Sequence, residues 1–191
     1  MILSDQDIFK KIEAGSIVIK SNRSNYKEQV HASSMDLRLG KFFKVYSHTK
    51  FAILDPKNKT PNITEIFEVK DDQPFIVQPG EFVLGATLEK IKIPNNIVAR
   101  VEGRSSLGRL GLLIHATAGF IDPGFSGTVT LEINNVNRMP IAIYPGQRIC
   151  QLSFEELSSD CLVPYGEKKS SKYQNQELPE ESRIMDDPEF N

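Results

Sequence analysis

The sequence predicts an all-β protein, a sandwich or closed barrel of jelly-roll type, and three observations carry that prediction. Short apolar stretches recur at regular spacing, several with strict alternation of apolar and polar side chains. Pro-Gly pairs at 79–80 and 145–146 punctuate them as turns. Helical periodicity is scarce, and neither an internal repeat nor a low-complexity block interrupts the pattern.

In chain order, residues 1–14 read as a short helix. Ser4 with Asp7 three positions later resembles a capping box, Ile8, Phe9 and Ile12 form an apolar stripe, and Gly15 can end it. Ile17, Val18 and Ile19 make a short strand, and the polar residues 21–29 read as a loop. Met35, Leu37 and Leu39 alternate with Asp36 and Arg38, a half-buried strand that Gly40 closes with a turn. Residues 42–46 continue the sheet, and 51–64, rich in Pro, Asn and Lys, form a connection. Strands follow at 74–78 and 82–85, another ends at 91–94, and a further one covers 97–101. Residues 139–144 and 149–154 complete the set across the second Pro-Gly turn.

The barrel domain is thus assigned to residues 1–164 and a tail to 165–191. Beyond Tyr165 the chain carries Lys168, Lys169 and Lys172, then a run dominated by acids. Such a segment buries little and stands mobile on its own, as a disordered tail or as a lid. Lys172 and Tyr173 suit a lid over a nucleotide.

Totals exclude several classes. A net charge of -2 over 191 residues argues against bulk nucleic-acid binding and confines any basic site to a local patch. Cys150 and Cys161 are too few for a disulfide framework or a zinc knuckle and read as reduced thiols. No apolar run approaches a membrane span and the N-terminus lacks a signal pattern, so the expectation is a cytoplasmic protein without membrane partners.

Residues 101–132 concentrate the chemistry. Arg104, Ser105, Ser106 and Arg109, interleaved with Leu107 and Gly108 and followed by Gly111, combine charge, forked donors and flexible backbone. A polyphosphate needs that combination. Thr128, Thr130 and Glu132 share one face of an alternating strand while Val129, Leu131 and Ile133 share the other. Glu132 is either a solvated strand glutamate or a general base whose pKa partial burial raises. Asp122 stands before Pro123-Gly124, which is ordinary turn chemistry or a carboxylate aimed at a sugar hydroxyl or a water. His115 follows apolar 112–114 and reads as a satisfied structural histidine. No His-x-Glu with a downstream Pro-Cys-x-x-Cys is present, and no His cluster, so zinc is not expected. Hydrolysis must then use a carboxylate-activated water, with Mg²⁺ carried by a triphosphate.

These residues form a recognisable set. Gly103-Arg-Ser-Ser-Leu-Gly-Arg-Leu-Gly111, Thr117-Ala-Gly-Phe-Ile-Asp-Pro-Gly-Phe-Ser-Gly127 and Thr130-Leu-Glu132 together resemble the dCTP deaminase branch of the trimeric dUTPase superfamily. Ser33-Ser-Met-Asp-Leu-Arg-Leu-Gly40, Gln78-Pro-Gly80, Pro145-Gly-Gln147, Gln151-Leu152, Pro164-Tyr-Gly166 and Ser171-Lys-Tyr-Gln-Asn-Gln176 extend the likeness over almost the whole chain. The resemblance implies a distorted jelly-roll barrel, dUTPase-like, with a short N-terminal helix and a flexible C-terminal lid. It also implies a homotrimer with active sites between subunits. Glu132 matches the general base that activates water for attack on cytosine C4. Ser105 and Arg109 match groups assisting at the base and the water, which the Ala118 backbone helps to position. Residues 104–109 match the triphosphate segment, and Asp122 matches the ligand of the deoxyribose 3′-hydroxyl. Thr130, Leu131, Gln151, Tyr165, Lys172 and Gln176 match further nucleotide contacts. Substrates implied are dCTP and dUTP, with dTTP as a feedback inhibitor.

One subdivision matters. Plain deaminases of this family carry His-Arg where this chain has Gly119-Phe120, a pair resembling the bifunctional members that convert dCTP to dUMP, diphosphate and ammonia. The rationale is that a small glycine without a cationic neighbour leaves room for a second water near the α-phosphate, oriented by Asp122. A monofunctional deaminase releasing dUTP, a dUTPase and a non-catalytic nucleotide-binding barrel are the alternatives.

Overall fold

The computed structural model describes residues 1–22, 25–47, 53–57, 63–70 and 72–190. A ten-stranded curled sheet and a two-stranded ribbon make up the body, with little helix. The helix α1 (Asp5–Glu13) buries Ile8, while β1 (Val18–Lys20) follows it. Ser4 sits at the N-cap, but its hydroxyl donates to the Asp7 carboxylate at 3.2 Å and caps no backbone N–H, so the expected capping box is not formed. At the other end Gly15, with φ +71°, donates to Ile12 O while Ser16 donates to Lys11 O, a Schellman closure that a left-handed glycine allows.

The architecture turns on one strand. After a single helical turn α2 (Tyr26–Gln29) and β2 (Val30–His31), β3 runs from Ser34 to Tyr46 without a break. Its first half pairs with β12 (Arg148–Glu156), through Met35 with Leu152 and Asp36 with Gln151. Its second half pairs with β6 (Phe82–Lys92), through Phe43 with Gly85 and Val45 with Val83, and with the edge strand β4 (Thr64–Glu68). The register shifts between Leu39 and Phe43, and Gly40 lies inside that shift. A Cβ at Gly40 would stand 3.0 Å from the Ala86 carbonyl oxygen, so the glycine permits close backbone approach where one strand passes between layers. The turn expected at Gly40 is therefore a bend within a continuous strand. The polar loop expected over 21–29 contains the α2 turn, and half of the connection expected over 51–64 falls outside the described residues.

The two layers follow from β3. One carries β12, β7 (Ile97–Gly103) and β9 (Phe120–Ile121). The other carries β6, β10 (Ser126–Asn135) and β8 (Leu112–Leu113), with β1 on β6. The pair β5 (Phe75–Val77) and β11 (Ile141–Ile143) lies beside them, each next to a Pro-Gly turn whose glycine has positive φ. Leu37, Leu39, Phe43, Leu131, Ile133, Leu152 and Phe154 are fully buried in the shared core. Burial of that apolar area is the main stabilising contribution. Among the described residues no helix is long and apolar enough to cross a membrane.

Residues 165–190 do not stand free of the barrel. Tyr165 N–H donates to Pro123 O at 2.8 Å, and Asn175 N–H donates to Ser126 O at 2.6 Å. Gln176 is 6% exposed; its amide donates to Thr128 O at 2.6 Å while its carbonyl accepts from Thr128 N–H at 3.0 Å. The tail thus docks along β10 through polar groups that satisfy backbone, which an apolar-burial criterion does not register.

Candidate active site

A cavity of about 600 Å³ opens between β10 and the tail. Alternation on β10 places Thr130 and Glu132 on its wall and Leu131 in the core, as the pattern predicts. Glu132 Oε2 accepts the Ala116 N–H at 2.8 Å, which fixes the carboxylate against the segment between β8 and β9. That segment supplies Ala118 and Phe120 to the same cavity. Asp122 joins them. Its main-chain carbonyl accepts from Phe125 N–H at 3.2 Å across Pro123 and Gly124 (φ +87°), a type II turn, and its exposed carboxylate faces the cavity. The turn reading and the functional reading of Asp122 are compatible, because they use different atoms.

From the tail come Tyr165, Lys172, Tyr173 and Gln176. The Tyr165 ring lies 5.8 Å from that of Phe125, and Thr130 Oγ1 donates to Gln176 Oε1 at 3.3 Å. Lys172 Nζ binds both Asp187 oxygens, at 2.7 and 2.8 Å, and that hydrogen-bonded partner pushes the ammonium pKa up. Glu181 also lines the cavity. Burial opposes its charge, but hydrogen bonds from Lys44 and Thr64 outweigh burial and hold the carboxyl below its usual value.

The remaining expected residues gather elsewhere on the chain. Residues 104–109 do not line this cavity. Ser105–Gly108 form one helical turn, α3, and expose Ser105, Ser106 and Gly108, with Leu107 partly covered and Arg109 exposed just after. Arg104 reaches Asp36, and Gln151 Nε2 approaches Gly103 O at 3.5 Å. The continuous stretch 101–132 therefore serves two separate places on one chain.

Two readings change. His115 is not a satisfied core histidine: it lines the cavity, and its buried Nδ1 has no hydrogen-bond partner among the described residues. Gly119 is not empty space either. A Cβ there would lie 2.7 Å from Val101 O and 3.4 Å from His115 Cε1, so backbone and imidazole already fill that volume. Nor is the pair without a cation, since the Arg100 guanidinium stands 4.5 Å over the Phe120 ring. Tyr46, on the cavity wall, went unnoticed in the sequence because its strand position looks like ordinary sheet; burial, then the charges of Glu181 and Glu132, push its phenol pKa up.

A β-barrel whose cavity is bordered by the carboxylates of Asp122, Glu132 and Glu181 and by the C-terminal segment, with an arginine-serine turn apart from it, has the features of the class of proteins that handle phosphorylated small molecules. Known proteins narrow it. A family model described as dCTP deaminase-like matches residues 2–157. A curated dUMP-forming dCTP deaminase of Dictyoglomus thermophilum is 52% identical over 185 residues, covering 96% of this chain and 95% of its own. One from Methanosphaera stadtmanae, of the same name, is 49% identical over 97% of this chain and 95% of its own. Among solved structures, the 2'-deoxycytidine 5'-triphosphate deaminase of Agrobacterium tumefaciens superposes with a TM-score of 0.64 at 24% identity, which speaks for the fold. The match covers 81% of this chain and 48% of that one, so the chain spans about half the length of that structure. The chain belongs to the dCTP deaminase-like family.

Proposed function

We propose that the protein deaminates dCTP and cleaves the product between the α- and β-phosphates, converting dCTP and two waters to dUMP, diphosphate and ammonia. The observation that carries this reading is Glu132, held by the Ala116 N–H and facing a cavity large enough for a nucleoside. The relatives near half identity, themselves named dUMP-forming dCTP deaminases, support the dUMP end point.

In this reading Glu132 takes a proton from water as the oxygen attacks cytosine C4 and passes it to ring N3, then moves the second proton from that oxygen to the amine, which leaves as ammonia. Ala118 main chain steadies the water, Asp122 binds the 3′-hydroxyl, and Thr130 and Leu131 meet the base edge through strand atoms. Tyr165, Lys172 and Gln176 close over the nucleotide as a lid, since they already border the cavity or the strand beside it. Ser105, Arg109 and the rest of 104–109, with Gln151, act on a nucleotide in a neighbouring copy, because on their own chain they stand apart from Glu132. A homotrimer with sites between subunits satisfies that geometry. Gly119 and Phe120 belong to the machinery that sets the product. dUTP is a second substrate and dTTP an inhibitor at the same site.

Among the described residues no group of three or more His, Cys, Asp or Glu side chains is arranged to hold a metal. The cavity is lined by the carboxylates of Asp122, Glu132, Glu180 and Glu181, of which Glu181 is engaged by Lys44 and Thr64 and Glu132 by Ala116 N–H. That donor set suits Mg²⁺ held chiefly by phosphate oxygens and water, with Asp122 as the available protein ligand. When bound, Mg²⁺ neutralises phosphate charge.

The test is to incubate the purified protein with dCTP and Mg²⁺ and to resolve the nucleotides. dUMP, diphosphate and ammonia in equal amounts are expected. Accumulation of dUTP reduces the protein to a monofunctional deaminase, and consumption of dUTP but not dCTP makes it a dUTPase. Binding without turnover identifies a non-catalytic barrel.

A further inference from the structure

Asp36, on the first half of β3, is 1% exposed. A carboxylate so far removed from water is unfavourable unless it is paired, and three basic side chains meet it at one oxygen. Oδ2 lies 3.1 Å from His31 Nε2, 3.4 Å from Arg104 Nη2 and 3.5 Å from Arg148 Nη1. The three come from β2, the end of β7 and β12, so the contact ties together the strands that border α3. From beneath, the buried Gln29 amide donates to Asp36 O at 2.7 Å and to Glu89 Oε1 at 2.9 Å, which holds this part of β3 in place.

The consequence falls on Arg104. Its guanidinium is gripped at two points: Nη2 by Asp36, and Nη1 by donation to Arg148 O at 3.2 Å. The side chain remains 32% exposed, so part of the fork faces solvent beside Ser105 and Ser106. Two guanidiniums over one carboxylate leave a surplus positive charge there. A long flexible cation costs side-chain entropy when it clamps an anion, and fixing it beforehand removes that cost.

We infer that Asp36 is the positioning residue of the triphosphate cradle: it orients Arg104 for phosphate without touching the nucleotide itself. Arg148 and His31 complete the set of side chains on the buried carboxylate, and the two guanidiniums leave the patch cationic. The inference rests on the reading that residues 104–109 hold the triphosphate.

A double-mutant cycle on the full-length protein tests it, with Asp36→Asn, Arg104→Gln and the double variant assayed on dCTP with Mg²⁺. Competition by inorganic triphosphate is measured in parallel, and thermal melting checks the fold. Asp36→Asn is expected to raise KM about tenfold, and to weaken inorganic triphosphate by a similar factor, while kcat stays within about twofold. In the Arg104→Gln background the same change is expected to add nothing. An equal loss in both backgrounds, or an unchanged KM in Asp36→Asn, overturns the inference while leaving the cradle reading intact. A wild-type KM in Arg104→Gln alone overturns the cradle reading and the inference with it. Should Asp36→Asn not fold, Arg104→Lys serves instead on a partly exposed side chain. Lysine keeps the charge but cannot span Asp36 and the Arg148 carbonyl together, so KM is expected to rise, and an unchanged KM overturns the inference.

Discussion

Replacing Glu132 by glutamine tests the centre of the proposed chemistry with little disturbance of the fold. The carboxylate accepts a hydrogen bond from Ala116 N–H at Oε2, at 2.8 Å, and an amide oxygen can accept the same bond. The strand around it is anchored by Val129, Leu131 and Ile133 in the core, none of which changes. A half-buried polar position altered isosterically shifts stability by about 0.5 kcal/mol or less, which is roughly 1–2 °C in Tm for a chain of this size. What the amide cannot do is take a proton. General-base assistance is worth about a hundredfold to ten-thousandfold, so the barrier should rise by about 3–5 kcal/mol. The assay is ammonia and dUMP release from dCTP with Mg²⁺, with binding of a non-hydrolysable dCTP analogue measured by calorimetry. Lost turnover with retained binding is the expected result. A rate within about threefold of wild type would remove Glu132 from the proton-transfer role.

Other perturbations address the surroundings. In Gly119→Ala the new Cβ meets Val101 O at 2.7 Å, beside the 2.7 Å bond from Val101 N–H to Gly119 O; overpacking of this kind costs about 1–3 kcal/mol, and an unchanged melting temperature would refute the packing account. A chain ending at Ser171 loses Lys172 and the Gln176 anchors on Thr128, so turnover should fall by about tenfold or more, with a Tm loss of a few degrees; an unchanged rate would return the segment to a passive tail. Asp187→Asn removes the partner of Lys172 and should lower KM for dCTP by about threefold; a raised KM would mean that Asp187 holds the lysine where the substrate needs it. Glu89 gives a pH signature. Burial raises its carboxyl above the ordinary value of 4.5 despite hydrogen bonds from Arg38 N–H and Gln29, so the folded state binds its proton more tightly than the unfolded state. Its favourable contribution is complete below 4.5 and is lost as pH rises through the raised pKa. Chemical denaturation of wild type and Glu89→Gln across pH 4–7 should therefore show the wild type losing stability relative to the variant as pH rises, and a constant difference would refute the assignment.

What the sequence revealed depended on whether burial was one-sided. Residues 128–133 alternate because one face of β10 packs on the core and the other lines a cavity, so Thr130 and Glu132 could be assigned to their face directly. The Pro-Gly turns were equally legible, since Gly80 and Gly146 do adopt positive φ. Glycines inside strands misled. Gly40 and Gly85 interrupt the apolar pattern, yet both sit where a neighbour presses close, and a Cβ at Gly85 would meet Ile133 Cδ1 at 3.0 Å. β3 and β6 therefore run longer than the runs from which they were read. β4 gave no signal because it is an edge strand whose residues 65–68 are exposed. Asp36 looked like the solvent side of a half-buried strand, and only the tertiary arrival of Arg104, Arg148 and His31 explains its burial. Sequence contiguity was the deepest trap, because residues 101–132 suggested one site and the fold distributes them over two places.

The same distribution sharpens what Gly119 and Phe120 can do. At 119 the selective constraint is approach: only hydrogen fits against Val101 O, and the strand contact through Val101 N–H depends on it. The next residue, Phe120, is 56% exposed at the edge of the cavity. Behind the ring stands Arg100, which Glu155 holds at 2.8 Å through Nε. The Arg100 side chain, itself 46% exposed, sets a positive charge against one face of the Phe120 ring. The expectation that this pair sets the end point therefore falls on the Phe120 ring and the Arg100 charge against it, with Gly119 fixing the backbone between them and Val101.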